Sequence, residues 1–198
     1  MDFIKLLKKR RSHYLLSEDV VVSEEALCES LRQLLLYLPS AYNSQSSRLV
    51  LLLGGAHKRF WNTVCDKIAM LVTPEAFAKS RAKIERSFAS GLGTVLFFED
   101  EAVVDGLRRE YPLYADSFDI YSEHTSAMHQ IAVWLLLVEN GYGASLQHYD
   151  ALLKKDVNKM FGLPTTWRFI GQMPFGKALD VPGEKSVVSL DERFRVVR

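Results

Sequence analysis

The stretch from His124 to Asp150 constrains the fold of this 198-residue chain more than any other. Its apolar run, Ala132 to Val138, is far shorter than the roughly 20 apolar residues needed to cross a bilayer. A helix that is apolar on nearly every side normally lies inside a protein core. Gly141 and Gly143 can adopt backbone conformations forbidden to other residues, so they predict a sharp end to this helix. We therefore expect a buried helix followed by a rigid loop, Ala144 to Tyr149, whose backbone N–H groups face a ligand.

The composition excludes several classes of protein. Lys and Arg total 25 against 24 Asp and Glu, which argues against a general binder of nucleic acid or anionic membranes. The basic N-terminus lacks the sustained apolar segment of a secretory signal. Cys28 and Cys65 lie in helix-like segments, where we expect buried free thiols and therefore a cytoplasmic protein. Neither the cysteines nor the five histidines have the spacing of a metal site, so no metal is expected.

The chain shows no repeats and no flexible linker, so we expect one domain over residues 1–198. Strands are predicted at Arg48–Leu53, Thr94–Phe98 and Trp167–Met173. Helices are predicted at Asp2–Arg10, Lys58–Leu71 and Tyr149–Phe161. Three further helices are predicted: one capped by Ser23 and ended by Pro39, one after Pro74, and one capped by Asp100. Because helices and strands mix without regular βαβ alternation, the expected class is α+β. The glycine-rich nucleotide loops GxGxxG and GxxxxGK[ST] do not occur in the sequence.

Two polar segments are candidates for ligand binding. Arg10-Arg11-Ser12, called here the phosphate clamp, offers guanidinium groups and a hydroxyl that match phosphate oxygens. The same residues would also suit a solvated helix end, where cations complement the dipole. Pro39 to Gln45, called here the 39–45 loop, is either a polar turn or a source of donors and acceptors for a ligand.

The sequence GYGASLQHYD, preceded by a helix with the pattern AMHQ-x-x-VW, resembles the signature of the nitroreductase-like flavoproteins. The similarity is strongest to small fungal and bacterial FMN oxidoreductases. In that family this loop lies along the flavin ring, and a backbone N–H donates to flavin N5. The resemblance implies cofactor-binding roles for Ser145, Leu146, Gln147 and His148. RRS resembles the family motif for the FMN phosphate, which implies that role for Arg10, Arg11 and Ser12.

Four further segments match the family in order along the chain. The 39–45 loop resembles the family loop P-S-[SA]-x-N-x-Q, which reaches the FMN bound mainly by the other subunit. Lys83 corresponds to a cation near flavin N1 and O2, with a solvated lysine on a helix surface as the alternative. Lys177 in MPFGK corresponds to a phosphate ligand. Departures from the family are Tyr14, Phe175 and Ser46-Ser47, which replaces the usual Pro-Trp. The implied ligands from the loop are Pro39, Ser40, Ala41, Asn43 and Gln45, and those from the central helix are Thr125 and Ser126, for which helix capping is an alternative.

The resemblance implies a mainly antiparallel sheet flanked by helices, in an intertwined homodimer that binds two FMN molecules. The implied reaction takes hydride from NADH or NADPH and reduces a small electrophilic acceptor such as a nitroaromatic or quinone. No catalytic side chain is expected, because the flavin carries the chemistry. Two alternatives remain: a flavin-binding redox sensor with incidental turnover, and an interaction protein that has lost its flavin.

Overall fold

A computed structural model describes residues 2–154 and 156–198. Its sheet has the strand order β1-β5-β3-β2. The short strand β4 also pairs with β5, at Phe175 and Gly176, next to the residues that pair with β1. Every pairing between these strands is antiparallel, so the expected α+β class with an antiparallel sheet is confirmed. The strands are β1 (Leu16–Ser17), β2 (Ser47–Leu53), β3 (Gly93–Asp100), β4 (Gly143–Ala144) and β5 (Trp167–Ala178).

Helices cover both faces of the sheet. Side chains that accept a hydrogen bond from the first turn start several of them: Ser23, Thr73 and Asp100 each cap the helix that follows. The helices are α1 (Phe3–Lys9), α2 (Glu24–Tyr37), α3 (Gly54–Ala69), α4 (Pro74–Ser87), α5 (Glu101–Glu110), α6 (Phe118–Glu139), α7 (Asp150–Leu153) and α8 (Asp156–Phe161). Short 3-10 helices cover Ala41–Asn43, Pro112–Ser117 and Leu190–Glu192.

Strand β3 separates two hydrophobic clusters. Leu96 and Phe98 pack with α3 and α4, where Phe60, Trp61 and Phe88 are fully buried. Val95 and Phe97 face the opposite way and pack against α2 and α6, as the period-two alternation of a strand requires. No helix in the described part of the chain combines the length and apolar content needed to cross a membrane.

Several predicted boundaries were wrong. Helix α3 begins at Gly54 rather than Lys58, because Gly54 has a φ of 50° and turns the chain directly out of β2. The predicted helix 149–161 is divided into α7 and α8, because α7 ends at Leu153 and the next residue, Lys154, has a φ of 38°. The third predicted strand continues to Ala178, so MPFGK lies within β5. Glu99 does not close β3 but lies inside it.

The end of α6 agrees with the prediction. Gly141 has a φ of 86°, Tyr142 N–H donates to the Leu137 carbonyl, and Gly141 N–H donates to the Val138 carbonyl. These two bonds form a Schellman motif, which ends a helix at a left-handed glycine. Within one chain, α6 is not buried on all sides. Val133, Leu137 and Val138 are buried, whereas Ile131 is 39% exposed and Trp134, Leu135 and Leu136 are only partly covered.

Candidate functional site

The phosphate clamp lies directly beside the loop that follows α6. Ser12 forms a parallel bridge with Ala144, and His13 N–H donates to the Ala144 carbonyl at 3.0 Å. These contacts join segments more than 130 residues apart in sequence. The structure therefore brings together Arg10, Arg11 and Ser12 with the start of the predicted flavin loop.

Strand β5 brings Lys177 to the same place. Gly143 pairs with Gly176, and Ala144 pairs with Phe175, so Lys177 follows immediately on the neighbouring strand. Glycine is needed at position 176, because an added Cβ would lie 2.3 Å from the Ser17 carbonyl oxygen. The Lys177 side chain is 57% exposed, and its Nζ lies 3.6 Å from the Asp19 carboxylate. An exposed pair of this kind contributes little, so Lys177 is free to turn toward a phosphate.

Gly143 is required for a different reason from the one predicted. Its φ is not in the left-handed region, whereas that of Gly141 is. An added Cβ at Gly143 would lie 2.8 Å from Ala178 Cβ and 3.0 Å from His13 Cβ. The small residue therefore allows the N-terminal segment and β5 to approach the loop from both sides.

Arg10 and Arg11 are held by different neighbours. The Arg10 guanidinium lies 4.4 Å from the centroid of the Trp134 ring, so Trp134 contacts the phosphate clamp. Arg11 donates to the Gly183 carbonyl in the C-terminal segment. Asp180 in that segment accepts from Tyr14 N–H at 2.9 Å and lies 2.7 Å from His13 Nδ1. The C-terminal segment therefore fastens the clamp region to β5.

The Asp180 carboxyl has a pKa below its usual range. Burial acts to raise this pKa, but hydrogen bonds from Tyr14 N–H and His13, together with the His13 charge, outweigh it. The carboxylate therefore remains ionised where it binds the residues after the clamp.

The predicted flavin loop has free backbone and hydroxyl groups. Gln147 N–H donates to the Gln172 carbonyl at 2.8 Å, and Gln172 N–H donates back at 3.0 Å. Leu146 N–H has no acceptor among the described residues, and extended backbone turns it away from β5. Ser145 Oγ is buried and likewise has no partner among them. Buried polar groups are rarely left unpaired, so the Ser145 hydroxyl fits contact with a bound cofactor, and the Leu146 N–H is available to donate to one.

Lys83 lies next to Tyr14, on the other side of the clamp region. The two residues line a cavity of about 370 Å³ together with Arg86 and Asp180. Lys83 Nζ is 5.9 Å from the centroid of the Phe88 ring, and its side chain is exposed. The structure thus places a cation beside Tyr14, one of the departures from the family pattern.

The 39–45 loop lies at the opposite end of the sheet. It leads into Ser47, which pairs with Glu99, whereas the clamp end of β3 is Gly93, paired with Phe175. Glu99 lies six positions after Gly93 along β3, which corresponds to a distance of about 20 Å. Within one chain the structure does not bring this loop to the clamp. Asn43 and Gln45 are exposed, and Ser40 accepts from Gln45 N–H at 2.9 Å.

Thr125 and Ser126 are buried in α6, far from either of its ends. Thr125 donates to the Tyr121 carbonyl at 2.9 Å, and Gln130 donates to Ser126 at 3.1 Å. Helix capping is therefore wrong for both, because α6 begins at Phe118. They lie about 13 Å before Trp134 along the helix axis, toward the end that faces the 39–45 loop.

His129 was missed by the sequence analysis. It is buried on α6, and its Nδ1 lies 2.9 Å from the Thr125 carbonyl, which implies a donated N–H. The ring lines a cavity of about 220 Å³ together with Ser40 and Gln45. Burial lowers the His129 pKa, and the bond to Thr125 only partly opposes this, so the ring is neutral at pH 7. The AMHQ pattern contained a signal for the burial of His129. This residue lies about two helical turns before the buried Leu137 and therefore on the same face of α6.

Comparisons with known proteins agree with this arrangement. The model of the Nitroreductase family matches residues 7–177. The nitroreductase FRM2 of Saccharomyces cerevisiae is 31% identical over 190 residues, covering 95% of this chain and 94% of the relative. The nitroreductase CinD of Lactococcus lactis, solved in complex with chloramphenicol, superposes with a TM-score of 0.89 at 38% identity and covers both chains fully. A nitroreductase structure from Saccharomyces cerevisiae superposes with a TM-score of 0.77 at 28% identity, covering 90% of this chain and 96% of that one.

A family match over most of the chain, relatives of this identity and the shared antiparallel architecture establish the assignment: the chain belongs to the nitroreductase family of oxidoreductases.

Proposed function

We propose that the protein is an FMN-dependent oxidoreductase with one flavin-binding domain per chain, which transfers hydride from NADH or NADPH to small electrophilic acceptors. The observation that carries this proposal is the pairing of Ser12 with Ala144. It joins a cluster of cations to a loop with an unpaired backbone N–H, and FMN has a phosphate and a ring suited to each.

The phosphate would be held by Arg10, Arg11, Ser12 and Lys177. Arg10 is preorganised by its contact with Trp134, which limits the entropy lost when it binds. Charge-assisted hydrogen bonds to phosphate are roughly twice as strong as neutral ones. These residues should therefore contribute most of the preference for FMN over riboflavin.

The ring would lie along the loop from Ser145 to His148. Leu146 N–H is the available donor for flavin N5, and Ser145 Oγ is a further polar group without a partner in the described chain. Lys83, on α4, would contribute positive charge near N1 and O2, where negative charge develops on reduction. When bound, FMN supplies the hydride acceptor and donor of the reaction, and the loop orients it.

We propose that the second subunit completes the site with Pro39, Ser40, Ala41, Asn43 and Gln45. Exposed apolar side chains in three parts of the chain support a homodimer. The apolar face of α6 is incompletely covered at Ile131, and the end of α2 exposes Leu36 and Tyr37 at 68% and 75%. The C-terminal segment adds exposed valines, with Val181 and Val197 95% and 93% exposed. Obligate homodimer interfaces are large and hydrophobic in this way.

Thr125 and Ser126 would approach the site from α6, behind the 39–45 loop. Their hydroxyls already have partners within the helix, so their contribution to flavin binding would be indirect. Both cysteines are free thiols; Cys65 is buried, as expected, whereas Cys28 is only partly buried. Free thiols support the expected reducing, cytoplasmic location.

The proposed acceptor class rests on the similarity of this chain to CinD. Structures of CinD contain chloramphenicol and 4-nitrophenol, both nitroaromatic compounds. This chain is 38% identical to CinD over its full length, so we propose nitroaromatics, and quinones of similar size, as acceptors.

Anaerobic titration of the FMN-loaded protein tests the proposed function. NADH or NADPH should bleach the visible absorbance of bound flavin, and a nitroaromatic or quinone should restore it. Bleaching without restoration by any acceptor would contradict the enzyme and favour the redox sensor. A protein that binds no FMN at micromolar concentration would contradict both.

A further inference from the structure

Glu99 is a buried carboxyl group inside the sheet that the proposed function does not use. It is 0% exposed, although it belongs to a residue type that is almost never fully buried without partners. Burial raises the pKa of Glu99, and the hydroxyls of Ser46 and Ser47 oppose this, followed by the charge of Arg168 and the hydroxyl of Ser122. A group this costly to bury needs a structural reason.

Its partners come from two different elements. Ser46 donates to one carboxyl oxygen at 2.6 Å, and Ser47 donates to the other. Ser122, on α6, donates at 3.4 Å, which is a longer and weaker contact. Ser46 and Ser47 directly follow the 39–45 loop in sequence. The two strong hydrogen bonds to Glu99 therefore come from the end of the 39–45 loop.

The hydrogen bonds continue into the loop itself. Ser44 Oγ lies 3.2 Å from Ser46 Oγ, and Arg48 donates to the Gln45 carbonyl at 2.6 Å. Arg48 also donates to the Asp100 carboxylate at 3.1 Å, next to Glu99 on β3. Both connections fasten the loop to the acidic end of the same strand.

This loop needs such support, because its backbone is strained. Tyr42, Asn43 and Gln45 have φ values of 55°, 50° and 49°, a region that non-glycine residues rarely adopt. Asparagine tolerates it best, whereas tyrosine and glutamine occupy it at a cost that the surroundings must offset. The loop packs closely on α5 and α6, leaving a cavity of only about 10 Å³ lined by Ser44, Ser46 and Ser122.

We propose that Glu99 is a positioning residue that holds the 39–45 loop in its strained conformation, so that Asn43 and Gln45 are ready to contact FMN bound to the partner subunit. This inference rests on the proposed function, because it gives the loop its purpose. Ser46 and Ser47 transmit the effect.

The chain offers a matched pair of variants for the test. Ser46→Ala/Ser47→Ala removes the bonds from the loop to Glu99, whereas Ser122→Ala removes a bond to the same carboxylate from α6. Hydrogen exchange of the 39–48 segment in the flavin-free protein should become at least about tenfold faster in the double variant, since bonds to charged groups are the stronger ones. In Ser122→Ala it should change by less than about twofold. Ser46→Ala alone replaces the double variant if the latter does not fold.

FMN affinity provides the second measurement. The double variant should bind FMN about tenfold more weakly, and Ser122→Ala should bind it normally. Glu99→Gln, whose amide oxygen can still accept from one serine, should retain more affinity than Glu99→Leu. Unchanged exchange in the double variant, equal exchange in both variants, or faster exchange with normal FMN affinity would overturn the proposal. Absence of FMN binding in the wild-type protein, with the exchange difference intact, would refute the proposed function while supporting the ordering of the loop by Glu99.

Discussion

The guanidinium of Arg10 lies 4.4 Å from the centroid of the Trp134 ring, so the phosphate clamp at the end of α1 is supported by α6. Trp134 Nε1 is buried and has no partner among the described residues. The contact of the indole face with Arg10 is therefore the main polar interaction of this side chain. A cation over an indole contributes about 0.5–2 kcal/mol. This contact connects α6, the helix proposed to form the dimer, to the residues proposed to bind the cofactor phosphate.

Replacing Trp134 with leucine should therefore weaken FMN binding without unfolding the protein. Loss of the cation–π contact predicts a dissociation constant about three to ten times higher, as measured by quenching of flavin fluorescence. Phe161→Leu is the matched control, because Arg59 lies 5.0 Å from that ring at a distant position. A control variant that loses as much FMN affinity as Trp134→Leu would show a general effect of stability.

The exposed side of α6 should be a dimer interface. Ile131→Glu places a charge at its centre, where it could not be hydrated once the second subunit binds, so the variant should be monomeric by light scattering. It should also lose FMN, because the 39–45 loop would no longer reach the cofactor. Met70→Glu is the control, since Met70 is 77% exposed on a different helix end. A wild-type monomer that retains flavin would disprove the shared site.

His57 should make the protein sensitive to mild acid. Burial lowers its pKa from 6.5 to about 4, a direction that the hydrogen bond to the Ala89 carbonyl only partly opposes. Because the folded state disfavours protonation, stability is present above pH 6.5 and is lost as the pH falls toward 4. At 1.36 kcal/mol for each pKa unit, this loss is roughly 3 kcal/mol.

The test is the melting temperature between pH 7 and pH 4.5. His57→Gln should lower the melting temperature at pH 7, because Thr94 loses its 2.9 Å partner, but its curve should fall less steeply with acid. The exposed His124→Gln is the control for removing a histidine side chain. Parallel curves for wild type and His57→Gln would contradict the assigned cause.

Steady-state kinetics should be ping-pong, with parallel double-reciprocal lines for NAD(P)H and a quinone. Both substrates would use the same flavin face in turn, so a ternary complex is not required. His148→Ala should reduce activity only about tenfold, less than the loss of a strong general acid–base catalyst. His148 is exposed and its ring lies over Gly171, so we expect it to shape the loop rather than take part in the chemistry. Intersecting lines, or complete loss of activity with flavin bound, would refute this mechanism.

Local features of the fold were predictable from sequence. Ser23 and Asp100 cap helices through their own side chains, and Gly141 ends α6 through two hydrogen bonds within five residues. Such features depend on neighbouring residues alone. The clamp, the flavin loop and Lys177 came from the family resemblance, and the structure brings them together through β4 and β5.

Features that depend on distant contacts were not predictable. An apolar run such as 132–138 has the same pattern whether its own chain or a second subunit covers it, so the sequence alone does not predict which residues of α6 stay exposed within one chain. Glu99 and Ser46 are 53 positions apart, and only the pairing of β2 with β3 shows that they meet. Two-residue strands such as β4 are too short for a periodic signal.

The clamp itself can be tested by removing its charges. Arg10→Gln/Lys177→Gln should weaken FMN binding at least about a hundredfold while leaving riboflavin binding almost unchanged, because only FMN carries the phosphate. Lys9→Gln is the control, since Lys9 is an exposed lysine one position before the clamp. Equal weakening of both flavins in the double variant would indicate that the loop or fold was disturbed.

The affinity of the wild-type protein for FMN relative to riboflavin tests the central claim most directly. Titration calorimetry on flavin-free protein should give a dissociation constant for FMN at least about a hundred times lower than that for riboflavin, as charge-assisted phosphate contacts predict. Equal dissociation constants for the two flavins would contradict the assignment of Arg10, Arg11, Ser12 and Lys177 to the phosphate.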